Sequence, residues 1–289
     1  MNLFHVIVLA IVQGLAELLP VSSSAHVVVT EELLGLDPSS PPMTLLLVML
    51  HTGTMFAVIV YFWRQWRSTY LQSVAACKRI AGPIVLATAL TGVIGEVLIK
   101  IIEKTVLRSI PHAQIEDLFS HLEWIAPALA VGGVLILLTG LREKRAAAPM
   151  QGTERDPDLR QAGIIGAVQG LCLPFRGFSR SGATISAGML LGVSKTRAEA
   201  FSFALAVVLT PPVVAREIWR LLEEQRVDHN LDVRSIAGLC AVGAVVAFFA
   251  GLLALKWLSR WLERGRWYWF GIYCLAAAAA VAALYAAGF

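Results

Sequence analysis

Six stretches of this chain are long and apolar enough to cross a lipid bilayer, and that single fact removes most folds from consideration. They are residues 43–63, 80–102, 124–141, 198–219, 236–257 and 267–287, each close to the roughly 20 residues that a spanning helix needs. With no water in hydrocarbon to satisfy backbone groups, such runs are expected to be helical. Charged residues make up 15% of the chain and mean hydropathy is +0.70, whereas a soluble domain carries about 25% charge. An all-α polytopic membrane protein is therefore expected. The net charge of +4 sits in short connectors between apolar runs, a pattern that orients membrane proteins and gives no reason to expect a nucleic-acid partner. Cys77, Cys172, Cys240 and Cys274 show no metal-ligand spacing and read as small apolar fillers without disulfides.

Four further apolar pieces are too short to cross alone. They pair into two broken hairpins, residues 3–36 and 162–193, each turning at a serine-rich loop. The first imitates a signal peptide, but no Lys or Arg precedes it and Glu17 interrupts it, so it is read as part of the mature fold. Irregular backbone at membrane depth needs protein or water around it, so the two loops are expected to line one cavity. Arg64, Arg67, Lys78 and Arg79 make one connector basic, and Lys256, Arg260, Arg264 and Arg266 another; both read as cytoplasmic. Arg108, Glu116 and Asp117 lie in a charge-mixed connector that alternation puts outside. The first hairpin then enters from the outer side and the second from the cytoplasmic side.

That geometry is an inverted-topology repeat: residues 1–141 form the first repeat, 159–289 the second, and 142–158 a polar cytoplasmic connector. Val12-Gln13-Gly14-Leu15 recurs as Val168-Gln169-Gly170-Leu171, and Ser23 and Ser179 share the same 156-residue offset.

The chemistry concentrates in the two loops. The first carries Glu17, Ser22, Ser23, Ser24 and His26; the second carries Arg176, Ser179, Arg180, Ser181 and Thr184. Each loop opens a helical stretch, whose serine cap, free N–H groups and positive dipole end favour an anion such as phosphate. An ionised group at membrane depth costs roughly 2.5–3.5 kcal/mol on insertion scales, so Glu17 and Arg180 there point to a site. A hydroxyl could attack phosphorus, His26 could move a proton, and Arg180 could balance the developing charge. His51, mid-span beside Thr52, Gly53 and Thr54, faces either this cavity or a helix contact. Glu96 and Lys100, four residues apart, are expected to pair.

These loops resemble the signatures of the undecaprenyl-diphosphate phosphatase family of bacterial membranes, the bacitracin-resistance type. The first family motif, Glu-Gly-x-x-Glu-x-x-Pro-x-Ser-Ser-x-x-His, is matched from Gln13 to His26. The second, Pro-Gly-x-Ser-Arg-Ser-x-x-Thr, is matched from Arg176 to Thr184. The resemblance implies hydrolysis of undecaprenyl diphosphate to undecaprenyl phosphate and inorganic phosphate, which recycles the cell-wall lipid carrier and confers bacitracin resistance. It implies a divalent cation (Mg²⁺ or Ca²⁺), with Glu17 as its protein ligand, and an outward-facing site in the bacterial inner membrane.

Glu17, Ser23, His26 and Arg180 are the expected catalytic residues, with Ser23 as nucleophile and His26 as its base, or a direct attack by water. Gln13, Ser22, Ser24, Arg176, Ser179, Ser181 and Thr184 are expected to hold substrate. Two departures stand out. Gln13 replaces a family Glu and cannot ionise, and Arg176 replaces a family Pro; its extra charge would meet a second phosphate or the headgroup layer. A lipid-phosphate flippase or anion transporter is the rival reading, since it would use the same half-helix dipoles. A second lipid-phosphatase superfamily is echoed only by Ser24-Ala25-His26. The oligomeric state stays open, a homodimer included.

Overall fold

A computed structural model describes residues 2–37, 40–105, 122–145, 155–227 and 233–287. Among them are ten helices and no strand: α1 (Leu3–Leu18), α2 (Ser23–Leu33), α3 (Pro41–Thr69), α4 (Val74–Thr105), α5 (Leu122–Arg145), α6 (Leu159–Cys172), α7 (Arg180–Leu190), α8 (Lys195–Val227), α9 (Val233–Glu263) and α10 (Trp267–Ala286). Six of these, α3, α4, α5, α8, α9 and α10, are long and apolar enough to cross a membrane. The expected spans fall within them, except that the last runs one residue past the end of α10 at Ala286. The helices run further, as α3 does past Trp63 to Thr69, because long basic side chains can keep their stems on the apolar surface while the head stays in water.

The short helices pair as α1–α2 and α6–α7. Sequence sets their limits. Asn2 caps α1 by accepting from the His5 N–H. Asp158 and Gln161 close a reciprocal capping box at the start of α6. Ser179 caps α7 by accepting from the Gly182 N–H at 3.2 Å. α1 lies against α9 and α3, α6 against α4, and α5 against α10.

Small residues set these distances, as lipid offers helices no hydrophobic drive to associate. A Cβ on Gly14 of α1 would stand 2.6 Å from Ala250 Cβ and 2.7 Å from the Ala247 carbonyl of α9. A Cβ on Gly170 of α6 would meet the Thr91 carbonyl at 3.0 Å and Ile94 Cβ at 2.9 Å on α4. Gly14 and Gly170 are 156 residues apart, and so are Thr91 and Ala247, and Ile94 and Ala250. Two contacts between the halves of the chain thus carry the same offset as the motif repeat.

One end of the bundle is tied by polar contacts. Tyr70, at the end of α3, donates to Asp156 Oδ1 at 2.6 Å. Arg197 of α8 bonds the same oxygen at 3.3 Å, and Arg79 of α4 stands 3.8 Å from Asp156 Oδ2. Lys195 pairs with Glu143 at the end of α5 and donates to the Leu262 carbonyl of α9. The α3–α4, α5–α6, α7–α8 and α9–α10 connectors therefore share one face, as the charge pattern requires. Burial, then the Asp156 hydrogen bond and its charge, push the Tyr70 phenol above its ordinary value, so it remains a donor.

Some expectations change. Cys77 is exposed rather than a filler, while the other three cysteines are buried. Glu199, close to the start of α8, is 3% exposed and accepts from Ser259 Oγ at 2.7 Å. Ser259 in turn accepts from the Tyr61 hydroxyl. Packing of α8 on α3 and α9 closes Glu199 off from the end of the span. Glu96 and Lys100 pair at 3.1 Å as expected. Arg108, Glu116, Asp117 and residues 146–154 of the connector lie outside the described residues.

Gly14→Val is expected to force α1 off α9 and to destabilise the protein by about 1–3 kcal/mol. Thermal unfolding in detergent measures this; Gly92→Val, where no atom stands within 4 Å of an added Cβ, should leave the midpoint unchanged.

Candidate active site

α1 ends at Leu18 and the chain turns through Leu19, Pro20, Val21 and Ser22 before α2 begins. Ser22 is the only non-glycine residue with positive φ (68°) among those described. Such a backbone costs roughly 1–3 kcal/mol and persists where surrounding structure enforces it, commonly at functional sites. Here the Ser22 carbonyl accepts from His26 Nδ1 at 2.7 Å.

Glu17 is the hub. Its Oε2 accepts from the Ser23 hydroxyl at 2.5 Å and from the Gln13 amide at 3.2 Å, and Oε1 accepts from Arg180 Nη2 at 2.5 Å. His51 Nε2 stands 3.7 Å from Oε2. The Glu17 side chain is 13% exposed and that of Arg180 25%, so this is a partly shielded charge pair open on one side. The two loops meet at two further points: the Gly177 N–H donates to Ser24 Oγ, and the Ser181 hydroxyl to the Leu19 carbonyl. Within the first loop Ser22 and Ser24 share a hydrogen bond. The start of α2 and the start of α7 therefore stand side by side, with Ser23, Ser24, His26 and Arg180 not fully buried.

The sequence-predicted residues divide into two groups. Glu17, Ser23, Gln13 and Arg180 bond directly to one another. His26 is near but its ring is engaged elsewhere: Nδ1 with Ser22, and Nε2 with the Tyr273 hydroxyl at 2.7 Å. The expected Ser23–His26 pair is replaced by Ser23–Glu17, because the turn after α1 sets the carboxylate, not the imidazole, on the hydroxyl. Ser179 is used as a cap, and Ser181 faces the Leu19 carbonyl. Thr184 is fully buried, bonding the Arg180 carbonyl at 2.8 Å and Ser202 Oγ at 2.6 Å. It fixes α7 to α8 behind the site. The charge of Arg176 acts on the fully buried Glu31 of α2.

Sequence reasoning missed Tyr273, which lies 247 residues from His26 with its ring plane within 10° of the imidazole. It also missed Ser202 as a partner of Thr184. The stretch Phe201-Ser202-Phe203 was the available signal for the latter.

A divalent cation needs a cage of several oxygens, usually carboxylates. Glu17 is the one carboxylate in this cluster, and each of its oxygens already accepts a hydrogen bond, one of them from a guanidinium. Gln13 turns an amide N–H toward it. No group of three His, Cys, Asp or Glu able to hold a metal occurs among the described residues. The described residues do not fit a resident cation.

An anion-ready pair of helix starts, a cation and a hydroxyl on a carboxylate, all set within a bundle of spanning helices, define a membrane protein with a phosphoryl-transfer type of site. Residues 6–280 match the family described as bacitracin resistance protein BacA, and the chain belongs to it. It is 54% identical over 279 residues to undecaprenyl-diphosphatase 2 of Acinetobacter baylyi, covering 96% of this chain and 95% of that one. It is 34% identical over 277 residues to undecaprenyl-diphosphatase of Rhodopirellula baltica, with the same coverage.

The Glu17–Arg180 pair is expected to couple energetically. In a double-mutant cycle of Glu17→Gln and Arg180→Ala, thermal unfolding should give an interaction term of about 0.5–3 kcal/mol, with Arg180→Ala costing less when Glu17 is already neutral.

Proposed function

We propose that this protein hydrolyses undecaprenyl diphosphate to undecaprenyl phosphate and inorganic phosphate. The carrying observation is the Ser23 hydroxyl held at 2.5 Å on the Glu17 carboxylate, with Arg180 bound to the other oxygen. Both relatives bear the name of this activity. The diphosphate is received by the starts of α2 and α7, whose free N–H groups and dipoles favour phosphate. Ser22, Ser24 and the Ser181 end of α7 line that receiving edge, and Arg176 adds positive charge beside it.

Ser23 is the nucleophile and Glu17 its base. The Oγ–phosphorus bond forms as the bridging oxygen–phosphorus bond breaks, and the Ser23 proton passes by Glu17 to the departing lipid monophosphate, which leaves Glu17 ionised again. Water then attacks the phosphoserine, its proton passing by Glu17 to the departing Ser23 oxygen. Arg180 balances charge on the phosphoryl oxygens. His26, held by Ser22 and Tyr273, orients the loop and lines the site.

The two short hairpins act as re-entrant elements of an inverted repeat, residues 1–141 and 159–289 joined by 142–158. The shared 156-residue offset of the packing glycines supports this. The site faces outward across the bacterial inner membrane, since the connectors at residues 64–79 and 256–266 carry the basic residues of the cytoplasmic face. No observation favours the transporter reading, which has no use for a hydroxyl poised on a carboxylate.

Phosphate release from undecaprenyl diphosphate by the purified protein in detergent tests this, with and without Mg²⁺ or Ca²⁺, the cations that the resemblance implies. Activity should fall by about 10²–10³-fold in Arg180→Ala and should be abolished in Ser23→Ala. Release that survives intact in Ser23→Ala would replace the covalent route with direct attack by water. Absence of release by folded, lipid-bound protein would overturn the hydrolase.

A further inference from the structure

We propose that Tyr273 is a positioning residue for the nucleophile, acting through His26 and the backbone of Ser22; this rests on Ser23 attacking phosphorus as stated above. Neither motif reaches Tyr273, which α10 brings in from 247 residues beyond His26.

The turn between α1 and α2 is held by its carbonyls. The Leu19 carbonyl accepts from the Ser181 hydroxyl of α7 at 3.4 Å, and the Pro20 carbonyl from Cys274 Sγ of α10 at 3.4 Å. The Ser22 carbonyl takes the short bond, from His26 Nδ1 at 2.7 Å. The helical bond from the His26 backbone N–H to the same carbonyl is 3.4 Å long, so the imidazole is the closer of its two donors. Ser22 keeps φ at 68° with no side-chain cap of its own, and such a backbone persists where neighbours enforce it. Ser23 follows directly, its hydroxyl 2.5 Å from Glu17 Oε2. Any relaxation of Ser22 therefore takes the nucleophile off its base.

The imidazole can hold Ser22 in one tautomer only. A carbonyl accepts and never donates, so Nδ1 must carry a hydrogen, and in the neutral ring Nε2 is then a bare acceptor. The Tyr273 hydroxyl lies 2.7 Å from Nε2 and supplies the matching donor. The two rings are within 10° of parallel, which puts that hydroxyl near the imidazole plane, where the Nε2 lone pair points. Without the hydroxyl, the ring is free to move its hydrogen to Nε2. A bare Nδ1 would then face the Ser22 carbonyl, lone pair against lone pair, and the short bond would be lost.

α10 is a firm support for this contact. A Cβ on Gly133 of α5 would stand 2.9 Å from Cys274 Cβ and 3.2 Å from the Gly271 carbonyl, so α10 lies close on α5 at the level of Tyr273. The Tyr273 side chain itself is on the outer face of α10 and 47% exposed. Tyr273→Phe thus removes the hydroxyl and leaves the core packing as it is.

The test uses full-length Tyr273→Phe in detergent, with Ile272→Val, an exposed neighbour on α10, as the control. Nitrogen NMR of histidine-labelled protein, with the His26 signals assigned by their loss in His26→Ala, reads the tautomer. The parent should carry its hydrogen on Nδ1, and Tyr273→Phe should shift it toward Nε2. Rapid-quench kinetics with undecaprenyl diphosphate should show the first turnover of lipid monophosphate slowed about tenfold, with KM within about twofold and an unchanged unfolding midpoint. Ile272→Val should match the parent throughout.

A parental first-turnover rate in Tyr273→Phe would overturn the proposal. So would a slowed rate with the His26 tautomer unmoved, because the hydroxyl would then act by another route, or a parent that carries the hydrogen on Nε2. Ser23→Ala run alongside keeps the two readings apart: hydrolysis that survives there removes the nucleophile itself, while the tautomer still reports whether Tyr273 sets His26.

Discussion

The ion pair between Arg180 and Glu17 is the contact on which the site depends. Each group placed alone at membrane depth costs roughly 2.5–3.5 kcal/mol on insertion scales, and the pair offsets that cost only because two hairpins 163 residues apart in sequence bring it together. The consequence is chemical as well as structural. A guanidinium on one carboxylate oxygen leaves the other directed at Ser23 and holds the carboxylate in the charged form that can accept a proton. On the proposed reading the same guanidinium already stands where the phosphoryl oxygens arrive, so little reorganisation is left for the transition state.

What permits the pair is close helix packing in the layer around it. Gly14 lets α1 settle on Ala247 and Ala250 of α9, and Gly170 lets α6 settle on Thr91 and Ile94 of α4. Side chains any larger at these glycines would move both short helices outward and separate their loops. The Ser22 backbone then completes the fit: its positive φ accompanies a carbonyl bonded to His26, while the next residue places its hydroxyl on Glu17. Thr184 on Ser202 and Trp267 on Ser186 secure α7 from behind, which keeps Arg180 from following the substrate out of the site.

Much of this was legible in the sequence, for definite reasons. Apolar length identifies spanning helices because the bilayer has a fixed thickness, and the six spans follow from it. Glu17, Ser23 and Arg180 were legible as a group because charges and hydroxyls in apolar surroundings need one another. The partner of each was not. Hydropathy gives the face of a helix but not which distant helix that face meets, so Tyr273 went unnoticed and His26 read as the base for Ser23. The burial of Glu199 was hidden for the same reason: its cover comes from α3 and α9, not from its own neighbours in sequence. Asp156, which gathers Tyr70, Arg79 and Arg197, gave no local signal at all.

Gln13 shows how one substitution can alter the logic of such a site without dismantling it. Its amide nitrogen is 3.2 Å from Glu17 Oε2. A second carboxylate at that distance would repel the first, and the two would need a shared proton or a cation between them. An amide donor needs neither: it adds a hydrogen bond to Glu17 and leaves the carboxylate free to exchange protons with Ser23. Arg180 balances the charge of Glu17, and on the proposed reading the helix starts supply the remaining attraction for phosphate. The departure from the family motif and the absence of a carboxylate cage among the described residues are thus two views of one arrangement, in which, on the proposed reading, a guanidinium and helix dipoles carry the positive charge around the diphosphate.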